Sequence, residues 1–213
     1  MRHKESAAFR KALEVLKTAG ALLVSDATLP SVAGLVAEAP VRGSWWAHPQ
    51  AHAIFRVANA LAEHPDVITV KLFSGKVTYV RGQHWGALIA IATSGEPWQM
   101  RGLSSLARRL LLRAEREGKL RTDHLPELLN IKLKAIGDAA GELEGRLLVY
   151  GASVHTEKGS HAKQLESWKH LAVRRRITGR RMSAQLAKQK FEEIARRLEE
   201  RFRSRVKLPW QRG

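Results

Sequence analysis

The side chains best suited to metal or catalytic chemistry are His155, Glu157 and His161, spaced His-x-Glu-x3-His. Two imidazoles and a carboxylate are adequate ligands for zinc, manganese or iron. On this reading a strand ends near His155 and a helix begins near 158–160, so Glu157 and His161 face each other one turn apart. A structural alternative uses the same residues. Thr156 or Ser160 caps the helix, Glu157 favours its dipole, and the histidines bond locally.

Three letters of this motif resemble the His-x-Glu of the zinc deaminases, but the paired cysteines that complete that site are missing. The chain has no cysteine at all, which removes thiolate metal sites, cysteine nucleophiles and disulfides together. No Gly-x4-Gly-Lys-Ser/Thr, Gly-x-Ser-x-Gly or Gly-x-Gly-x2-Gly occurs, and the acids form no two-metal cluster. No cofactor or metal is therefore assigned. An enzyme acting on nucleic acid through His155, Glu157 and His161 stays as the alternative to a binding protein.

Charge points to a partner more firmly than to a reaction. Residues 170–213 hold 14 Lys/Arg against 4 acids, which is ten of the seventeen net positive charges in 213 residues. Such self-repulsion does not stabilise a compact chain, whereas a polyanion releases its counterions when Lys and Arg neutralise phosphates. The expected partner is nucleic acid. Duplex DNA comes ahead of RNA, since no RNP-type aromatic motif is present, and contacts should fall mainly on the phosphate backbone. The candidate phosphate contacts are Arg174, Arg175, Arg176, Arg180 and Arg181, read as a basic linker, with Arg108, Arg109, Arg113 and Arg116 along one helix. Lys71, Lys76 and Arg81 on a hairpin join them. A solvated basic surface is the plain alternative for each group.

Elements must position these groups. A helix is expected over Ser6–Ala19 with Gly20 as its stop, a short strand over Ala21–Val24, and a helix from Leu29-Pro30-Ser31 to about Glu38. A third helix is expected from Pro49 to His64, then a hairpin of 67–72 and Val77–Val80 turning at Ser74-Gly75. Helix, strand, helix, helix, hairpin is the order of a winged-helix domain, and residues 5–95 resemble that fold in element order. The resemblance implies DNA binding, with a β wing along the minor groove or backbone. It implies no glycosylase activity, because the Gln-x-Gln motif of winged-helix DNA glycosylases does not occur. The helix from Pro49 to His64 would face DNA with Gln50, His52, Arg56, Asn59 and Glu63, where Arg suits guanine and Asn or Gln suits adenine. Adjacent Trp45 and Trp46 precede it; one is expected to plug the core and the other to lie partly exposed, where it could stack an unpaired base.

A weaker echo follows. A helix of Leu103, Leu106, Ala107, Leu110, Leu111 and Ala114 stops at Gly118, and one helix is expected over Leu125–Ala140. A second hairpin is expected from Arg146–Val149 and Ser153–Thr156, turning at Tyr150-Gly151-Ala152, with Leu165 and Trp168 on a following helix. The fold class expected is α+β, mostly helical with two short β-hairpins, as tandem winged-helix units plus a basic C-terminal helix. The divisions are 1–98, 99–172 and 173–213. The last helix, about Ser183–Arg205, carries the stripe Ala187, Phe191, Ile194, Leu198 and Phe202, which must dock on something; a homodimer through this helix is one candidate. Acid–base pairs four apart, Glu192–Arg196, Glu193–Arg197 and Glu199–Arg203, would each add about 0.3 kcal/mol. No apolar run approaches the ~20 residues of a membrane span, and the N-terminus lacks a signal-peptide core, so a cytoplasmic, nucleoid-associated location is expected.

Overall fold

The computed structural model describes residues 6–155, 161–177 and 182–211. The chain is α+β and mostly helical, with two three-stranded antiparallel sheets. It divides into two compact units, Met1–Trp85 with Lys188–Leu208, and Gly86–Ala187 with Pro209–Gly213. Residues 173–213 are thus shared between the units.

The first unit runs α1 (Ala7–Ala19), β1 (Ala21–Leu23), α2 (Val32–Ala37), α3 (Ala51–Glu63), β2 (Val67–Lys71) and β3 (Val77–Arg81). Its boundaries follow local chemistry. The Ser6 hydroxyl accepts from the Phe9 N–H at 3.2 Å, and Gly20 ends α1 at φ 81°, donating to the Leu16 carbonyl at 3.1 Å. Ser31 caps α2 by accepting from Gly34 N–H, so Pro30 lies just outside the helix. The sheet order is β1-β3-β2. Phe9, Leu16, Leu22, Val32, Ile54, Leu61 and Tyr79 form the core between sheet and helices, and the buried Tyr79 hydroxyl donates to the Ala58 carbonyl at 2.9 Å.

The second unit repeats that order after α4 (Trp85–Ala92) and α5 (Pro97–Met100). It continues with α6 (Ser105–Glu117), β4 (Lys119–Arg121), α7 (Leu125–Leu129), α8 (Leu133–Gly145), β5 (Tyr150–His155), β6 (His161–Glu166) and α9 (Trp168–Arg174). Its sheet order β4-β6-β5 reproduces that of the first unit, with the last strand at the centre. α6 copies α1 in length and caps: Ser104 accepts from Ala107 N–H, and Gly118 stops the helix at φ 79°.

Two expectations for this unit are corrected. The segment read as one helix over Leu125–Ala140 is α7 and α8, because Asn130 takes the left-handed conformation (φ 52°) and its N–H closes α7 on Pro126. The second hairpin is β5 paired with β6. Arg146–Val149 instead close α8: Leu147 sits at φ 54°, and Leu148 N–H donates to the Leu143 carbonyl. Gly151 lies inside β5. A Cβ there would collide with the Glu144 carboxylate, which is ion-paired to Lys163. Leu165 accordingly belongs to β6, and only Trp168 of that pair is helical.

The final helix, α10 (Ala184–Phe202), ends three residues before the expected limit. No helix among the described residues is long and apolar enough to cross a membrane.

Candidate nucleic-acid interface

In the first unit α3 buries Ile54, Val57, Ala58 and Leu61. That spacing turns His52, Arg56, Asn59 and Glu63 to solvent, with Gln50 exposed just before the helix. The outward set is the expected one. Arg56 and Asn59 lie three apart, on one side of the helix, and neither is engaged by a described residue. Just ahead of α3 the Trp45 and Trp46 rings are stacked, with centroids 3.9 Å apart and planes 25° apart. Trp45 is half-buried against the core, while Trp46 is 61% exposed and 5.5 Å from the Phe55 ring. The pair divides as expected, one ring inward and one on the surface.

The first hairpin holds its cations close. Lys76 Nζ lies 2.6 Å from Asp26, and Arg81 Nε donates to Asp66 at 2.8 Å. Burial pushes the Asp26 carboxyl up. The Leu29 N–H, the Lys76 ammonium and the Thr28 N–H and hydroxyl outweigh it and hold the group below its ordinary value. The turn between β2 and β3 is only Phe73–Gly75, with the Phe73 side chain buried. This hairpin does not extend as a long loop.

In the second unit Arg108, Arg109 and Arg116 are exposed on α6 and Arg113 is half-buried. Arg113 and Arg116 converge on one acid, Glu117, at 2.8 and 3.1 Å, and Arg108 Nε donates to the Leu103 carbonyl. Exposed pairs of this kind are worth about 0–1 kcal/mol, so they yield readily to a phosphate.

The arginine run is a linker only in part. Arg174 closes α9 and binds Glu166, which is 2% exposed on the central strand. Its Nε and second guanidinium nitrogen donate to the two carboxylate oxygens at 2.8 and 2.7 Å, and His170 Nδ1 stands 2.6 Å from the same group. Burial raises the Glu166 pKa, but Arg174 and His170 more than reverse this and hold it below the ordinary carboxylate value. This arginine serves the fold of its own unit. Arg175 is half-buried and Arg176 exposed; Arg180 and Arg181 lie outside the described residues.

His155 and His161 are directly paired across β5 and β6, in strand rather than at a helix start. The one-turn helical spacing of Glu157 and His161 is therefore corrected: β6, not a helix, begins at His161. Glu157 and the side chains of both histidines lie outside the described part. Among the described residues no group of three or more His, Asp or Glu side chains could hold a metal.

The α10 stripe is covered by the chain itself. Phe191, Ile194 and Leu198 are buried in the first unit, Phe191 lies 6.0 Å from the His84 ring, and Ile194 packs over Gly20. Those three positions of the face that suggested a homodimer are thus covered within the first unit. Sequence reading missed the exposed Arg42 and the exposed Arg203, Arg205 and Lys207. The alternation Arg-x-Arg-x-Lys just past the helix was the signal for the last three. No protein-family model, curated protein or solved structure matches this chain.

Proposed function

We propose that this protein binds duplex DNA through the helix-turn-helix face of its first unit, with most of the affinity from phosphate contacts. The observation that carries the reading is the outer side of α3. It presents Arg56 and Asn59, free of described partners, beside the exposed Trp46 ring, on a helix anchored by a full apolar face. One arginine and one asparagine give limited base readout, while the surplus of cations suits a backbone-dominated mode.

Fluorescence anisotropy with a mixed-sequence duplex, across a series of salt concentrations, tests it. Log affinity should fall with log salt at about −0.9 per phosphate neutralised. The double variant Arg56→Ala, Asn59→Ala should weaken duplex binding about tenfold, at the lower end of the ~1–3 kcal/mol of one good base contact. Trp46→Ala should spare the intact duplex and weaken a junction with unpaired bases by about 5- to 150-fold, the worth of one stacked base. A flat salt dependence, or unchanged duplex affinity in the α3 double variant, refutes the proposal.

A further inference from the structure

We propose that residues Arg203–Lys207 form a rail for the sugar-phosphate backbone of one nucleic-acid strand, built onto the tip of the first hairpin. The inference rests on the nucleic-acid reading above and assigns a second, separate contact surface within the same unit.

The rail begins where α10 ends. Arg203 takes the left-handed conformation at φ 48°, which stops the helix. Glu199, one turn back, then holds the segment twice: its carbonyl accepts from Ser204 N–H at 3.2 Å and its carboxylate from Val206 N–H at 2.7 Å. From there burial alternates. Val206 and Leu208 are buried, while Arg205 and Lys207 face solvent. Lys207 donates its N–H to the Ser74 hydroxyl at 3.2 Å and accepts from Ser74 N–H at 2.8 Å. The Ser204 and Thr28 hydroxyls meet at 2.8 Å. Hairpin tip and C-terminal segment are therefore stitched together at Ser74 by one backbone bond and one bond to its hydroxyl.

Charge is what remains on the outside. Arg203, Arg205 and Lys207 are exposed and make no ion pair with a described residue. Of the acids of α10, Glu193 and Glu200 contact Arg196 and the Glu199 carboxylate holds the Val206 N–H, and no acid occurs after Glu200. The hairpin supplies little of its own: its turn is Phe-Ser-Gly, and Lys76 is held by Asp26. Beyond Arg203, which is left-handed, Arg205 and Lys207 alternate with buried Val206 and Leu208 as residues of an extended chain do, about 6–7 Å apart, comparable to the step between neighbouring phosphates of one strand. A fixed backbone carrying cations at that step loses little freedom on binding beyond its side-chain rotamers. A short wing without free charge thus becomes a charged one by borrowing the C-terminus. A lamellar anionic surface fits less well, because the adjoining outer face of α10 carries Glu193 and Glu200 beside its arginines.

The test uses the full chain and the triple variant Arg203→Ala, Arg205→Ala, Lys207→Ala, with duplex DNA and with phosphatidylserine vesicles as probes. The thermal midpoint should not move, because all three side chains are exposed. The salt slope for DNA should become shallower by about 1.8–2.7, two to three phosphates at ~0.9 each. A companion, Arg203→Lys with Arg205→Lys, should keep the wild-type slope. An unchanged slope in the triple variant, with the wild type and the α3 double variant behaving as proposed, overturns the rail and leaves the α3 reading intact. Vesicle binding lost in the triple variant with DNA binding retained also overturns it. A wild type that binds neither probe overturns both proposals.

Discussion

Replacing Arg174 by alanine should cost the second unit much of its stability without weakening nucleic-acid binding. Glu166 sits on the central strand, opposite Lys119 on one side and Tyr150 on the other. The residue is 2% exposed, and its carboxylate depends on Arg174 and His170 for compensation. Removing one partner from a buried ion pair costs about 3–5 kcal/mol, because the remaining charge is stranded. His170 stays in place and the Arg174 side chain is 38% exposed, so about 2–3 kcal/mol is the expected loss, a large share of the ~5–15 kcal/mol that holds a domain together. The sign with pH follows from the depressed Glu166 pKa. Stability from the ionised carboxylate is present above its unfolded value and is lost as pH falls through the folded one. The gap between wild type and Arg174→Ala should therefore shrink between pH ~5 and pH ~3, from the ordinary carboxylate value downward. Urea unfolding followed by tryptophan fluorescence at both pH values measures it, and Glu166→Gln combined with Arg174→Ala should be less destabilised than Arg174→Ala alone. A loss under ~1 kcal/mol, a gap independent of pH, or a salt slope for DNA shallower by ~0.9 would refute the assignment; the last would return Arg174 to the phosphates.

Two further outcomes are expected from the C-terminal helix. Ile194→Ala should lower stability by about 2–4 kcal/mol, the cost of a large-to-small change at a fully packed site; sedimentation should give one and the same association state for variant and wild type, and a change in that state would mean the stripe also serves a second copy. His84 should make docking of α10 pH-dependent: burial, then the Lys190 and Arg197 charges, hold its pKa below the ordinary imidazole value. Its contribution is complete above pH ~6.5 and declines as pH falls, so the thermal midpoint should drop on acidification to pH ~5 in wild type and less in His84→Gln; equal drops would exclude His84 as the cause.

The parts of the fold legible in the sequence are those decided within a few residues. Ser6 and Gly20, and the turn at Ser74-Gly75, announce their roles through capping and turn chemistry alone, and the apolar spacing of α3 fixes which side of it meets solvent. What was not legible depends on distant partners. Gly151 looks like a turn glycine until Glu144 and Lys163 are seen to need the space where its side chain would be. Asn130 breaks a helical pattern with a backbone conformation that periodicity does not register. Arg174 reads as one of a row of solvated cations because its partner, Glu166, precedes it by eight residues, across a strand-to-helix junction. The apolar stripe of α10 was plain, but Gly20 and His84, which cover it, lie more than a hundred residues earlier.

The two units show how one topology separates from one surface. α3 and α8 occupy the same place in the element order and are both 13 residues long. α3 leaves Arg56 and Asn59 uncommitted. On α8, Lys134 is paired with Asp138 at 2.7 Å, Glu142 accepts from the Ser104 hydroxyl and meets Arg146, and the exposed positions include Leu133 at 57%. α8 carries one lysine against Asp138, Glu142 and Glu144, and a helix of net negative charge gains little from a phosphate. The element order therefore carries no functional prediction by itself. The prediction comes from which cations are left without a described partner on the two proposed surfaces, Arg56 on α3 and Arg203, Arg205 and Lys207 at the hairpin tip. If DNA binding follows that distribution, exchanging the outer residues of α3 for those of α8 should weaken it at least as much as the α3 double variant does, although the fold of the first unit would be retained.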